Sequence, residues 1–118
     1  MEDLKKHFVK HEIVATIQCS GNRRHEMARL KPIKGLDWKQ GAISTAKWGG
    51  VLLRDVLIYA GLDPKDVTFA GALHVQFEGL DKDPIGSTYG ASIPIEKAMS
   101  ADGDVLLAYE MNLRKGVC

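Results

Sequence analysis

The sequence predicts an α+β fold, mixed and strand-rich, and three observations carry that expectation. His11 to Gln18 sets His11, Ile13, Ala15 and Ile17 against Glu12, Val14, Thr16 and Gln18, the period of two that belongs to a strand. Leu73 to Glu78 alternates in the same way. Between them, Leu53, Val56, Leu57 and Ala60 recur at i, i+3, i+4 and i+7, which gives a helix one apolar stripe.

Taken in order, Asp3 to Phe8 has the make-up of the end of a short helix. The β-branched residues of His11 to Gln18 favour a strand with at least one buried face. Cys19 then stands at the C-terminal end of that strand, on the following loop, where rigid scaffolds present chemistry. Gly21 permits a close backbone approach or a positive φ. Asn22 to Leu30 suits a short helix with Asn22 as its N-cap. Its first amides would point near Cys19 and add positive potential there. Pro32 and Gly35 mark Lys31 to Trp38 as loop.

Gly41 to Trp48 reads as a strand of small residues, after which Gly49-Gly50 turns the chain. Val51 to Ala60 is the clearest helix, a core-packing one, with Gly61 placed to cap it. Asp63 to Asp66 makes a turn before the strand at Leu73 to Glu78. Gly79 to Gly90 reads as a long polar loop, a length that is uncommon unless functional. Asp81 and Asp83 within it lack the third carboxylate of a hard-cation site, and Asp83 before Pro84 suits turn chemistry. Ala91 to Met99 is a strand entering a short helix near Pro94, and Asp102-Gly103 is a turn. Val105 to Tyr109 is a continuous apolar run, as in a strand covered on both faces.

The 118 residues fit one domain, and 45% hydrophobic with 26% charged residues is an ordinary globular composition. No apolar run approaches the ~20 residues that span a bilayer. A net charge of +1 argues against nucleic-acid binding through a broad basic face. Charge is uneven, however. From Cys19 to Lys39 six basic residues (Arg23, Arg24, Arg29, Lys31, Lys34, Lys39) stand against two acidic ones (Glu26, Asp37), a local excess suited to a small anion. The two cysteines, Cys19 and Cys118, lie at opposite ends of the chain and support neither a disulfide framework nor a zinc ribbon, so both are expected as reduced thiols. The charged start Met1 to Lys6 is no signal peptide, and no targeting segment is expected in this chain.

Chemistry concentrates in Gln18 to Arg24, where an apolar run stops at a cysteine and two adjacent arginines follow. A thiolate is a soft ligand for a transition metal, and guanidinium groups supply charge and planar donors for an oxyanion. The plain alternatives are a cysteine acting as a small core hydrophobe and an arginine pair acting as surface charge. Trp38 serves either packing or, through its indole N–H, the wall of an anion pocket. His7, His11, His25 and His74 have no ligand spacing with one another and read as surface or half-buried residues.

Four stretches together resemble the molybdenum-cofactor domain of sulfite oxidases, and more loosely that of assimilatory nitrate reductases. They are Thr16 to Arg24, Gly41 to Trp48, Phe77 to Asp81, and Tyr89 to Pro94 with Leu106 to Asn112. The resemblance implies a sulfite-oxidase-type molybdopterin-binding domain, here incomplete. It implies oxygen-atom transfer that oxidises sulfite to sulfate at molybdenum. Cys19 matches the thiolate that ligates molybdenum alongside the pterin. Arg24 matches a substrate-binding arginine, Trp38 a tryptophan of the same pocket, and Asp81 a residue contacting the pterin. Gly79 to Pro84 and Ser92 to Pro94 look more like the sulfite oxidase versions than the nitrate reductase ones.

The resemblance also sets expectations about what lies outside the match. Residues 1–112 are expected as the central part of the cofactor domain, and 113–118 as an unmatched tail. Further substrate and pterin residues, the haem domain and the dimerisation domain through which family members form homodimers are not encoded here. The implied electron acceptor is a haem or cytochrome c, and the implied compartment the mitochondrial intermembrane space. A catalytically silent, truncated remnant of the domain remains the alternative, as does a nitrate reductase-type domain. A simple anion or nucleic-acid module built on Arg23 and Arg24 is disfavoured by the net charge.

Overall fold

A computed structural model describes residues 1–66, 68, 71–112 and 114–115, the last two as backbone. The expected tail at 113–118 therefore lies outside the described residues except for positions 114 and 115, and Cys118 lies outside them too. The chain divides into two compact units. One comprises Met1–His11 with Gly50–Ala108, the other Glu12–Gly49 with Tyr109–Cys118. Among the described residues six strands stand against four helices. Among the described residues no helix is long and apolar enough to cross a membrane.

The elements run α1 (Glu2–His7), β1 (His11–Gln18), α2 (Arg24–Ala28), β2 (Ile43–Leu52), α3 (Leu53–Tyr59), β3 (His74–Lys82), β4 (Thr88–Pro94), α4 (Ile95–Ala98), β5 (Leu106–Met111) and β6 (Arg114–Lys115). A four-stranded sheet has the order β1-β2-β5-β6, and β3 and β4 form a separate antiparallel pair.

The first unit holds most of the buried apolar side chains: Val51, Leu53, Ile95, Ala98 and Met99. Here α1 is stitched by Lys5 to Glu2 at 3.2 Å and stands against the end of α3, with His7 stacked on Tyr59 and Phe8 edge-on to it. The α3 helix ends as its sequence requires. Gly61 takes φ +107°, its N–H bonds to Ile58 O at 3.0 Å, and Leu62 N–H reaches back to Leu57 O at 3.0 Å. That pair of bonds is a Schellman ending, which satisfies carbonyls the last turn would otherwise leave bare.

Two expectations about this unit fail. Gly49-Gly50 does not turn the chain; β2 runs straight through to Leu52. The glycine answers crowding instead: a Cβ on Gly50 would lie 2.7 Å from the Leu107 carbonyl carbon and 2.8 Å from Ala108 Cα. The long loop at Gly79 to Gly90 is mostly hairpin. Glu78 pairs with Gly90 and Lys82 with Thr88, so four steps on β3 match two on β4 and leave a bulge at 79–81. Only 83–87 is a true turn. Asp83 makes it by accepting from Ile85 N–H at 3.0 Å and Ser87 N–H at 2.8 Å, while Gly86 takes φ +85°. Asp83 is thus occupied with turn chemistry.

In the second unit β1 and β2 run antiparallel. Cys19 N–H bonds to Ala42 O at 2.9 Å, Thr16 meets Thr45 hydroxyl to hydroxyl at 2.7 Å, and the Trp48 indole donates to Ala15 O at 3.2 Å. The end of β5 is held by a reciprocal lock. Asn112, at φ +49°, gives its N–H to Lys47 O at 2.7 Å and takes the Lys47 N–H on its side-chain oxygen at 3.0 Å. Asparagine tolerates this left-handed turn better than most residues. Tyr109 and Glu110 on β5 are buried, in keeping with an interior place in the sheet.

Candidate molybdenum and oxyanion site

The candidate site grows from the end of β1. As expected, Cys19 is the first residue beyond the strand, and its position is fixed by the ladder bond to Ala42 O. The chain then reverses tightly: Asn22 N–H bonds to Cys19 O at 2.9 Å and Arg24 N–H to Gly21 O at 3.0 Å. Inside this reversal Gly21 points its N–H at Cys19 Sγ, 3.4 Å away. Cys19 is free and exposed, so the reading of it as a small core hydrophobe does not hold.

Asn22 is not the N-cap. The helix α2 starts at Arg24 behind Arg23, and no side chain caps it. The Asn22 carboxamide oxygen instead accepts from Gly41 N–H at 3.1 Å and Ala42 N–H at 3.0 Å, two amides at the entry to β2. The amide near the sulfur consequently belongs to the Gly21 turn and not to a helix end.

The two arginines part company. Arg23 sits at φ +64°, its N–H bonded to Lys39 O at 3.0 Å, and its guanidinium turns outward to Glu26, with Nε 3.1 Å from Oε1. This hydrogen bond holds the Glu26 carboxyl below the usual carboxylate range and pushes the Arg23 guanidinium above its own ordinary value. Arg23 is committed to that ion pair and does not join Arg24 in a double guanidinium site. Arg24, half-buried, folds the other way. Its Nη1 donates to Leu36 O at 2.9 Å.

Two glycines make room for Arg24. A Cβ on Gly21 would lie 2.7 Å from Arg24 Nη2 and 2.9 Å from Trp38 Cδ1. A Cβ on Gly35, whose φ is +109°, would collide with the same guanidinium. Cys19, Gly21, Arg24 and Trp38 are therefore gathered on one turn and the loop facing it. Trp38 is about half exposed (47%), so it is not a core residue. A cavity of about 450 Å³ is lined by Arg24, with His25, Arg29 and Asp37 as its other charged or titratable lining. Cys19 is not part of that lining. Asp81 is carried by the other unit, exposed, in the β3 bulge. Bulges commonly re-aim side chains beside functional sites.

Among the described residues no group of three or more His, Cys, Asp or Glu side chains is arranged to hold a metal ion. The donor set is one exposed thiol with an N–H on its sulfur. Such a set fits a metal whose other ligands come with its cofactor, and it does not fit a metal held by protein alone.

The pattern of the family described as "Oxidoreductase molybdopterin binding domain" matches residues 1–115. The chain belongs to that family. It is similar to sulfite oxidase of Gallus gallus, 59% identical over 95% of this chain and 24% of that protein. It is also similar to mitochondrial sulfite oxidase of Mus musculus, 55% identical over 95% of this chain and 20% of that protein. The NADH nitrate reductase 1 of Phaseolus vulgaris is more distant, at 42% over 95% of this chain and 13% of that protein. The crystal structure of the sulfane dehydrogenase SoxCD from Paracoccus pantotrophus superposes with a TM-score of 0.64 at 27% identity, over 97% of this chain and 25% of that one. The strand-rich α+β expectation is thus met by a molybdopterin-domain fold. The chain spans about a quarter or less of the length of these relatives.

Sequence reasoning found Cys19, Gly21, Arg24 and Trp38 but missed Gly35, the Asn22 clamp and the pairing of His25 with Asp37. Gly35 carried a signal, a lone glycine in a basic loop. The other two join residues 12 to 20 positions apart through loops and leave no periodic trace.

Proposed function

We propose that this chain contributes one wall of a molybdenum site that oxidises sulfite to sulfate. The observation that carries the reading is the single turn that sets the Cys19 thiol, with an N–H on its sulfur, beside an arginine cradled by two glycines. When bound, molybdenum and its pterin supply oxygen-atom transfer and two-electron redox chemistry. Cys19 is the protein's thiolate to the metal, and Asp81 is a contact to the pterin. Arg24, its Nη1 anchored on Leu36 O, holds the sulfite oxyanion and offsets its charge as the substrate gives up two electrons and gains an oxygen. Trp38 closes the pocket and limits water.

Sulfite is favoured over nitrate because the sulfite oxidase relatives are 55–59% identical and the nitrate reductase 42%. The relatives named mitochondrial support a mitochondrial site of action. The intermembrane space as compartment and haem or cytochrome c as electron acceptor belong to the proposal alone. Residues 1–112 form the central part of the cofactor domain in this reading.

The test is to produce the chain in a host that makes the pterin cofactor. Molybdenum per polypeptide and sulfite-dependent reduction of an electron acceptor are then measured. Bound metal is expected; a folded chain that takes up none overturns the proposal and leaves the silent remnant.

A further inference from the structure

The loop that carries Trp38 is tied to α2 at several points. Arg23 N–H bonds to Lys39 O and His25 N–H to Trp38 O, both at 3.0 Å, and Arg24 Nη1 bonds to Leu36 O. Among these backbone ties sits one between side chains. His25 Nδ1 lies 2.8 Å from Asp37 Oδ2, and the pair directly flanks both Arg24 and Trp38 in sequence. Asp37 and Trp38 are adjacent, so a shift of one moves the other. We infer that His25 and Asp37 are positioning residues, a protonation-sensitive clasp that sets the placement of Trp38, and with it Arg24, in the oxyanion pocket.

The clasp responds to pH through simple chemistry. Histidine changes charge between about pH 5 and 8. With His25 protonated, the bond to Asp37 joins two opposite charges and is stronger than one from a neutral ring. With the ring neutral, only the tautomer bearing hydrogen on Nδ1 still donates, and the clasp loosens. Other charges face His25 as well. Arg24 and Arg29 line the same cavity, and Glu26 is coupled to His25 electrostatically. Both partners are partly exposed, at 39% and 64% of their side-chain surface, so the response is graded and the loop does not unfold.

The inference rests on the pocket reading for its meaning, and the experiment separates the two. The ¹⁵N-labelled chain has two indole signals, from Trp38 and Trp48, assigned with Trp38→Phe. Between pH 5 and 8 the Trp38 signal is expected to follow a one-proton titration while Trp48 stays still. Both His25→Gln and Asp37→Asn are expected to flatten that curve, and Asp37→Glu to retain it. In Asp37→Asn the ring still titrates without its clasp, which distinguishes positioning from a field effect. Adding sulfate, a dianion throughout this range, should show affinity falling about two- to fivefold as pH rises in the wild type and Asp37→Glu, and not in His25→Gln or Asp37→Asn. A Trp38 signal that does not titrate, or that titrates unchanged in Asp37→Asn, overturns the clasp even if sulfate binds. A titrating Trp38 that His25→Gln and Asp37→Asn flatten, with no sulfate bound at any pH, upholds the clasp and removes the oxyanion role.

Discussion

At the scale of residues, the adjacent arginines show how one backbone angle divides two identical side chains. Arg23 occupies the left-handed region, so its guanidinium leaves the turn and meets Glu26, while Arg24 faces Gly21 and Gly35. Glycine would accept the Arg23 conformation more readily. Arg23→Gly is therefore expected to be more stable than Arg23→Ala by about 1 kcal/mol, read from urea midpoints. Glu26 has a depressed carboxyl value in the folded state. Its contribution is present above the ordinary carboxylate titration and is lost as pH falls through the lowered folded value. Carboxyl NMR should find Glu26 titrating below the ordinary glutamate value in the wild type and moving up in Arg23→Gln. Arg24→Gln removes a charged donor and should raise KM for sulfite about 10- to 100-fold in the loaded enzyme; an unchanged KM and kcat would count against its role. The Cys-plus-arginine pattern was legible because it is local. The split of Arg23 from Arg24 was not, since it depends on a φ value and on Lys39, sixteen residues away.

At the scale of elements, glycine meant different things in different places. Gly61 ends α3 as local sequence suggests, with open space where a Cβ would go. Gly50 reads locally as a turn, yet it is the point where β2 passes close to Leu107 and Ala108 on β5. Only the tertiary neighbour reveals the difference. Gly50→Ala should cost about 1–3 kcal/mol or more in denaturant midpoint, because backbone must shift; a cost near zero would contradict the close approach. The β3–β4 hairpin was misread as loop for a related reason. Most of β3 is exposed, so Gly79 to Lys82 lacks the apolar alternation that announces a half-buried strand. Where a face is buried, as in the helix stripe led by Leu53, the sequence pattern and the element agree.

At the scale of the whole molecule, four short motifs pointed to the family whose pattern covers residues 1–115. What the motifs could not convey was the spacing between side chains that chemistry needs. Gly35 and the Asn22 clamp matter because of what lies across the turn from them, and sequence order is silent on that. Periodicity reports burial; a polar turn built to hold a thiol and a guanidinium has none to report.

The central claim is that Cys19 is the protein's ligand to molybdenum, and metal content tests it most directly. The wild-type chain and Cys19→Ser are each produced with the pterin cofactor available, and molybdenum is counted per polypeptide alongside the far-ultraviolet circular dichroism. The prediction is metal on the wild type and its loss from Cys19→Ser with an unchanged spectrum. Equal molybdenum on both proteins, or none on a folded wild type, would contradict it.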